Sequence, residues 1–305
     1  MTLAVLCPGQ GAQHPAMLDL ITGTQAAEDV LALGATTIGT HVRAWLAQPQ
    51  SLDTNAIAQP LLCLTELATW AALRGRVAAP LAFAGYSVGE LASYACAGAL
   101  DASELARLAQ TRAASMDAAN AKPSGLVALR GLPRAEVKAL CAGHAAWIAI
   151  ANGDDAFVVG GDSTILDELA KRARAHGAQI TCLKVGVASH TPLLDSAVGP
   201  FRLALEQSTL RAPDIPVIAG IDASWVTSRA KAIATLSSQL AKTIEWARCL
   251  ETLYERGARV FLELGPGTAL ARMVREQFPS DAVARSVSEF RSLDGVTAWL
   301  RRVSS

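Results

Sequence analysis

The sequence predicts an α/β protein, with a large domain on a mainly parallel sheet and a smaller unit inserted into it. Three observations lead there. The short apolar runs "LAVLC" (3–7), "PLAFAG" (80–85) and "ARVFLELGPG" (258–267) each end in a glycine-rich turn, as strands buried on both faces do. Segments of helical period alternate with them, the pattern of a sheet covered by helices. Between residues 123 and 187 the order changes to strand, helix, strand, strand, helix, strand.

Taken in order, "LAVLC" is cut by Pro8 and Gly9 and reads as a strand running into a loop. "QPLLCLTELATWAALRGR" (59–76) reads as a helix with Pro60 in its first turn, and "PLAFAG" as the next strand. "DASELARLAQTRAASMDAAN" opens with Asp101 and Glu104, spaced as an N-cap and its capping-box partner, and Arg112 falls well inside that helix. The inserted unit follows as "GLVALRG", "PRAEVKALCAG", "AWIAIANG", "AFVVGG", "STILDELAKRARAHG" and "AQITCLKV", a βαββαβ order that is ferredoxin-like. The expected division is therefore 1–122 with 188–305 as the large domain and 123–187 as the subdomain. From Ser189 the large-domain pattern resumes, and the tail "RRVSS" is expected to fray.

Composition narrows the function. Of 305 residues 51% are apolar and 18% charged, enough to bury a sizeable core. Lys plus Arg and Asp plus Glu both number 27, so no overall field draws the chain to nucleic acid or to an anionic membrane. The six cysteines are scattered without CxxC spacing, which points to reduced thiols and no metal site. "MTLAVLCPGQG" lacks the basic and apolar regions of a signal peptide, and no uninterrupted apolar stretch of spanning length follows. A cytoplasmic protein is expected.

"AFAGYSVGELAS" (82–93) places Ser87 between Gly85 and Gly89, after a strand and before a helix. That is the context of a nucleophile elbow in an α/β-hydrolase-like domain, although a tight structural turn needs the same small residues. A serine nucleophile needs a base. Of His14, His41, His144, His176 and His190, only His190 lies in a small-residue loop where the chain re-enters the large domain; His41, His144 and His176 read as surface residues. "CPGQGAQ" (7–13) offers backbone N–H groups at a strand end, suited to an oxyanion or simply to a turn. Arg112 must either find a carboxylate or reach solvent.

The ordered set "CPGQGAQ", "QP" (59–60), "GYSVGE" (85–90), Arg112 with Met116, "SH" (189–190), "QL" before "EW" (239–246) and "ELGPG" (263–267) resembles the malonyl-CoA:acyl carrier protein transacylases over nearly the whole chain. The resemblance implies Ser87 as nucleophile and His190 as its base. It implies Arg112 as the group that binds the malonyl carboxylate, with Met116 and Gln59 also in the substrate site. Backbone N–H groups of Gln10 and Val88 would form the oxyanion hole, and the Gln239 backbone carbonyl would orient His190 in place of a triad acid. Malonyl-CoA would enter as substrate with no bound cofactor or metal, and the partner would be an acyl carrier protein.

One departure stands out. Tyr86 occupies a position where this family usually has histidine. The "GYSVGE" form resembles the transacylase subunit of malonate decarboxylase, whose carrier subunit would then be the acceptor; a transacylase of fatty acid or polyketide synthesis is the alternative. A serine hydrolase or a non-catalytic scaffold subunit are the readings from other classes. Lys171, Arg172, Arg174 and Lys184 are the candidates for a basic rim that would meet an acidic carrier.

Overall fold

Along Thr2–Cys7 (β1) every side chain after the first is buried, and successive residues turn to opposite faces. Leu3, Val5 and Cys7 enter one apolar cluster and Ala4 and Leu6 another. A strand buried on both faces belongs in the middle of a parallel sheet. The computed structural model, which describes residues 2–304, places it there.

The chain continues through α1 (Gln25–Ile38), α2 (Val42–Leu46), α3 (Asn55–Leu73), β2 (Ala82–Gly85), α4 (Val88–Cys96) and α5 (Ala102–Ala119). The inserted segment comprises β3 (Ser124–Arg130), α6 (Arg134–Cys141), β4 (Ala146–Ala151), β5 (Ala156–Asp162), α7 (Ser163–Ala175) and β6 (Gln179–Cys182). Then come α8 (Asp195–Glu206), β7 (Val217–Ile218), β8 (Trp225–Val226), α9 (Arg229–Gln239), α10 (Trp246–Glu255), β9 (Ala258–Glu263), α11 (Ala269–Gln277), β10 (Val283–Ser286) and α12 (Leu293–Ser304).

The larger sheet has the order β10-β9-β1-β2-β7-β8 and is parallel except where β8 returns beside β7. The smaller sheet, β4-β5-β3-β6, is antiparallel throughout. One face of the large sheet packs on α1, α3, α4, α5, α8 and α12. Its other face packs on α10 and α11 and on Leu126, Ile150 and Val158 of the small sheet. The opposite face of the small sheet carries α6 and α7 over a separate apolar cluster. Ile150 of β4 also bridges to Ile244, and Arg134 of α6 forms an ion pair with Glu245, so the small sheet is pinned just ahead of α10.

Several local expectations are corrected. The helix expected at 59–76 begins at Asn55, after an extended Thr54, so Pro60 lies inside α3 rather than in its first turn. It has no N–H for the Ala56 carbonyl, a loss the buried helix tolerates. Within Asn55–Arg76 the most apolar 18-residue window has a mean hydropathy of 1.3 and could cross a bilayer by length and composition, but 83% of that window is buried inside the protein. It is a core helix packed on α1, α4 and α5. Asp101 does cap α5 by accepting from the Glu104 N–H at 2.8 Å. Glu104 does not complete the box, because its carboxylate is engaged by Arg107. The tail is helical through Ser304, and Ser305 lies outside the described residues.

Candidate active site

The register Cys7 to Gly85 brings the ends of β1 and β2 side by side. The chain therefore leaves the sheet at Pro8 and at Tyr86 as neighbours, and the Tyr86 N–H donates to the Cys7 carbonyl at 2.9 Å. Close approach of the two turns depends on missing side chains. A Cβ on Gly9 would come within 2.8 Å of the Tyr86 carbonyl oxygen, and one on Gly89 would overlap the carbonyl oxygens of Cys7 and Pro8. Ser87 sits at the head of α4 with φ 57° and ψ −118°, a conformation that L residues rarely hold, so its hydroxyl projects from a strained turn.

His190, also at positive φ (63°), answers it. Its Nε2 lies 2.8 Å from Ser87 Oγ, and its Nδ1 lies 2.6 Å from the Gln239 backbone oxygen. A carbonyl oxygen only accepts, so Nδ1 carries the proton, Nε2 is bare, and the Ser87 O–H donates to it. The His190 N–H donates to the Leu240 carbonyl at 2.8 Å, which holds the residue against the end of α9. Burial, followed by the nearby Arg112 charge, lowers the imidazole pKa to about 3, with the Gln239 carbonyl opposing. The ring is neutral at ordinary pH.

Arg112 is fully buried on α5. Its partners are Gln59 Oε1 at 2.8 Å, Gln239 Oε1 at 3.0 Å and the sulfur of Met116, one turn along the same helix, at 3.2 Å. None is a carboxylate, and among the described residues Arg112 makes no ion pair. Burial lowers its pKa to about 10, which leaves it cationic. A buried cation with only neutral partners is an incomplete pair.

Gln239 joins the two groups. While its backbone oxygen holds His190, its side chain accepts from Arg112 and donates to the Ser87 carbonyl (3.1 Å) and to Glu90 Oε2 (2.6 Å). Glu90, on α4, also accepts from the Gly220 N–H at 3.0 Å, and its other oxygen is buried without a partner. Burial raises this carboxyl to about 7 against those hydrogen bonds and the Arg112 charge. Glu90 was not singled out from the sequence, though it closes the "GYSVGE" motif; Gly220 has no local sequence signal at all.

Around the two oxyanion candidates, Val88 opens α4, where N–H groups have no partner within the helix. Gln10 follows β1 in the adjacent loop, and its side chain donates to Asn55 Oδ1 at 3.2 Å. Tyr86 is half-buried and turned onto Trp246, with ring centroids 5.3 Å apart and planes at 79°. Burial raises its phenol pKa, so it stays neutral. His14, His144 and His176 are exposed, and His41 caps α2 by accepting from the Arg43 N–H. On the expected basic rim, Lys171 is paired with Glu168 at 2.7 Å and Arg172 rests 3.2 Å from His144, while Arg174 and Lys184 are exposed.

A hydroxyl held against a neutral imidazole beside an uncompensated cation can attack a carbonyl whose substituent carries a negative charge. Comparison with known proteins bears on this geometry. Residues 5–298 match the family described as "Acyl transferase domain". The malonyl CoA-acyl carrier protein transacylase of Mycobacterium bovis is 31% identical over 306 residues, covering 96% of this chain and 98% of that protein. The structure of malonyl-CoA:acyl carrier protein transacylase from Helicobacter pylori superposes with a TM-score of 0.92 at 26% identity, covering 99% of each chain. That of a type II PKS acyl-carrier protein in complex with its malonyl-transacylase gives 0.92 and 26%, covering 98% of this chain and 99% of that one.

Proposed function

The chain belongs to the acyl transferase domain family, among its malonyl-CoA:acyl carrier protein transacylases, and from that premise we propose that Ser87, His190 and Arg112 carry the transfer through a malonyl-serine. Arg112 receives the free carboxylate of the malonyl group and orients the thioester over Ser87. His190 takes the Ser87 proton through Nε2 as Oγ attacks the thioester carbon. The N–H groups of Gln10 and Val88 receive the oxyanion. The carbon–sulfur bond breaks, the CoA thiolate takes the proton from His190, and the malonyl ester remains. The phosphopantetheine thiol of the carrier then attacks that ester by the reverse steps. Gln59 and Met116 hold one terminal nitrogen of the guanidinium and Gln239 the other. No metal or organic cofactor enters.

The observation that carries the reading is Arg112, a fully buried cation with three neutral partners and none of opposite charge. A hydrolase acting on neutral esters has no use for it, and a scaffold has no use for a serine hydrogen-bonded to an oriented histidine. We read the segment 123–187 as a ferredoxin-like subdomain on its strand order, and the remainder as one hydrolase-like catalytic domain. Tyr86 in the "GYSVGE" form is the feature that resembles the malonate decarboxylase subunit. The relatives described above bear the names of malonyl-CoA-acyl carrier protein transacylases, so a carrier of fatty acid or polyketide synthesis is the better reading of the acceptor. Six free thiols, five of them buried, fit a reducing, cytoplasmic setting.

Intact-protein mass spectrometry after mixing with malonyl-CoA tests the reading. The wild-type protein gains a malonyl adduct that a carrier thiol removes, and Ser87→Ala gains none. Arg112→Met loses about 10²-fold in malonyl acylation relative to acetyl, the scale of a lost charge-assisted pair. A malonyl adduct that persists in Ser87→Ala overturns the assignment.

A further inference from the structure

Glu90 is a carboxylate with no part in the chemistry above. It is buried on α4 three residues past the nucleophile, with one oxygen unpartnered and the other accepting from Gln239 Nε2 (2.6 Å) and the Gly220 N–H (3.0 Å). A side-chain amide has two different ends, and its neighbours decide which end points where. Gln239 turns its oxygen to Arg112 and its NH2 to Glu90 and the Ser87 carbonyl. Reversed, the NH2 would face a guanidinium that only donates, and the oxygen would face the Ser87 carbonyl, which only accepts, and Glu90, which in its ionised form only accepts as well. The observed orientation is the one in which every contact is satisfied, and Glu90 supplies its strongest acceptor.

We infer that Glu90 is a positioning residue for malonyl selectivity: it locks the Gln239 amide so that Oε1 faces Arg112 and fixes the guanidinium where the substrate carboxylate arrives. The inference rests on the malonyl reading of Arg112. Glu90 touches neither substrate nor the reacting atoms, and it acts through one residue. Besides Gln239 and Gly220, the charged or titratable groups around it are Arg112, Asp222, Tyr94 and Cys249, none of which takes its place as acceptor for the amide.

The test is the ratio of malonyl to acetyl acylation, with KM and kcat measured separately on the full chain. Glu90→Met, an unbranched residue without an acceptor, raises KM for malonyl-CoA about tenfold and leaves KM for acetyl-CoA alone, the scale of one lost charge-assisted bond. Glu90→Gln, whose carbonyl can still accept from Gln239 and Gly220, recovers most of the lost ratio. Gln239→Met retains the backbone carbonyl for His190 and lowers the ratio as Glu90→Met does. The double variant is no worse than either single one, because both remove the same orientation.

An unchanged ratio in folded Glu90→Met overturns the inference, as do additive losses in the double variant or equal losses for both thioesters. If Glu90→Met fails to fold, Gln239→Met decides, and a wild-type ratio there overturns it. A wild-type protein that forms no malonyl ester overturns the function itself, a result distinct from any of these.

Discussion

His190 owes its place in the site to a ring that stays neutral. An imidazole in water loses half its basic form near pH 6.5, and a base in that state would fade as the medium acidifies. Burial and the Arg112 charge bring this one to about 3, so its Nε2 remains free well below neutrality. Glu90, raised to about 7 by burial, is instead the group of the site that titrates in the working range. In the Glu90→Gln protein, single-turnover acylation by malonyl-CoA is therefore expected to stay level from pH 5 to pH 8. An acid limb centred near 6.5 would mean that the ring is solvated.

Residues differ in how far the chain announces them. Ser87 is legible because glycines bracket it, and His190 because of the small residues around it. The third member of the hydrogen-bonded series is not legible from chemistry alone, since a backbone carbonyl belongs to every residue. Only the resemblance pointed to Gln239. Its side chain, which ties Arg112 to Glu90, left no trace in spacing, because those partners lie 127 and 149 positions away.

Among the elements, the turn between β2 and α4 is the most constrained. Ser87 holds a strained backbone there, and the neighbouring glycines let the first turn of α4 lie directly on the end of β1. A methyl group at Gly89 meets two carbonyl oxygens of fixed backbone, which cannot rotate aside as a side chain could. Gly89→Ala is expected to lose about 3 kcal/mol in denaturant unfolding and to lose acylation more than in proportion. A stability within about 0.5 kcal/mol of wild type would show that the two turns can separate.

All six elements of the inserted segment are legible in the sequence in type and order, although the last strand ends at Cys182 rather than running on through "LKV". The start of α3 was missed for a physical reason. Proline is favoured in a first turn, so "QP" reads as a beginning, whereas α3 starts at Asn55 and its buried stretch from Ala58 onward, packed on three other helices, accommodates Pro60 inside it.

For the molecule as a whole, stability and pH are linked through carboxyl groups that the core has taken in. Glu66, on α3, is buried with neither oxygen hydrogen-bonded, and burial pushes it well above its usual 4.5, with Cys96 and Glu263 adding to the rise and the neighbouring Cys7 thiol partly offsetting it. A carboxyl raised in the folded state favours folding fully below its unfolded pKa, and that contribution is lost as the pH climbs through the folded value. Glu90 and Glu263, each raised to about 7, lose theirs between about 4.5 and 7. Replacing Glu66 with Met removes one such group and its unsatisfied oxygens. It is expected to gain about 1–3 kcal/mol at pH 8, with a smaller gain at pH 5. Equal gains at both pH values would mean that Glu66 is not protonated on folding.

The carbonyl against His190 Nδ1 comes from Gln239, late in the chain, while the proposed nucleophile comes from residue 87. A nascent chain that has emerged only as far as α8 already displays Ser87, Arg112 and His190, yet nothing holds the imidazole in its productive tautomer. The imidazole gains its hydrogen-bonded partner only with the end of α9 in place. Until synthesis has passed that point, a half-made molecule meeting CoA thioesters is poorly equipped to consume them.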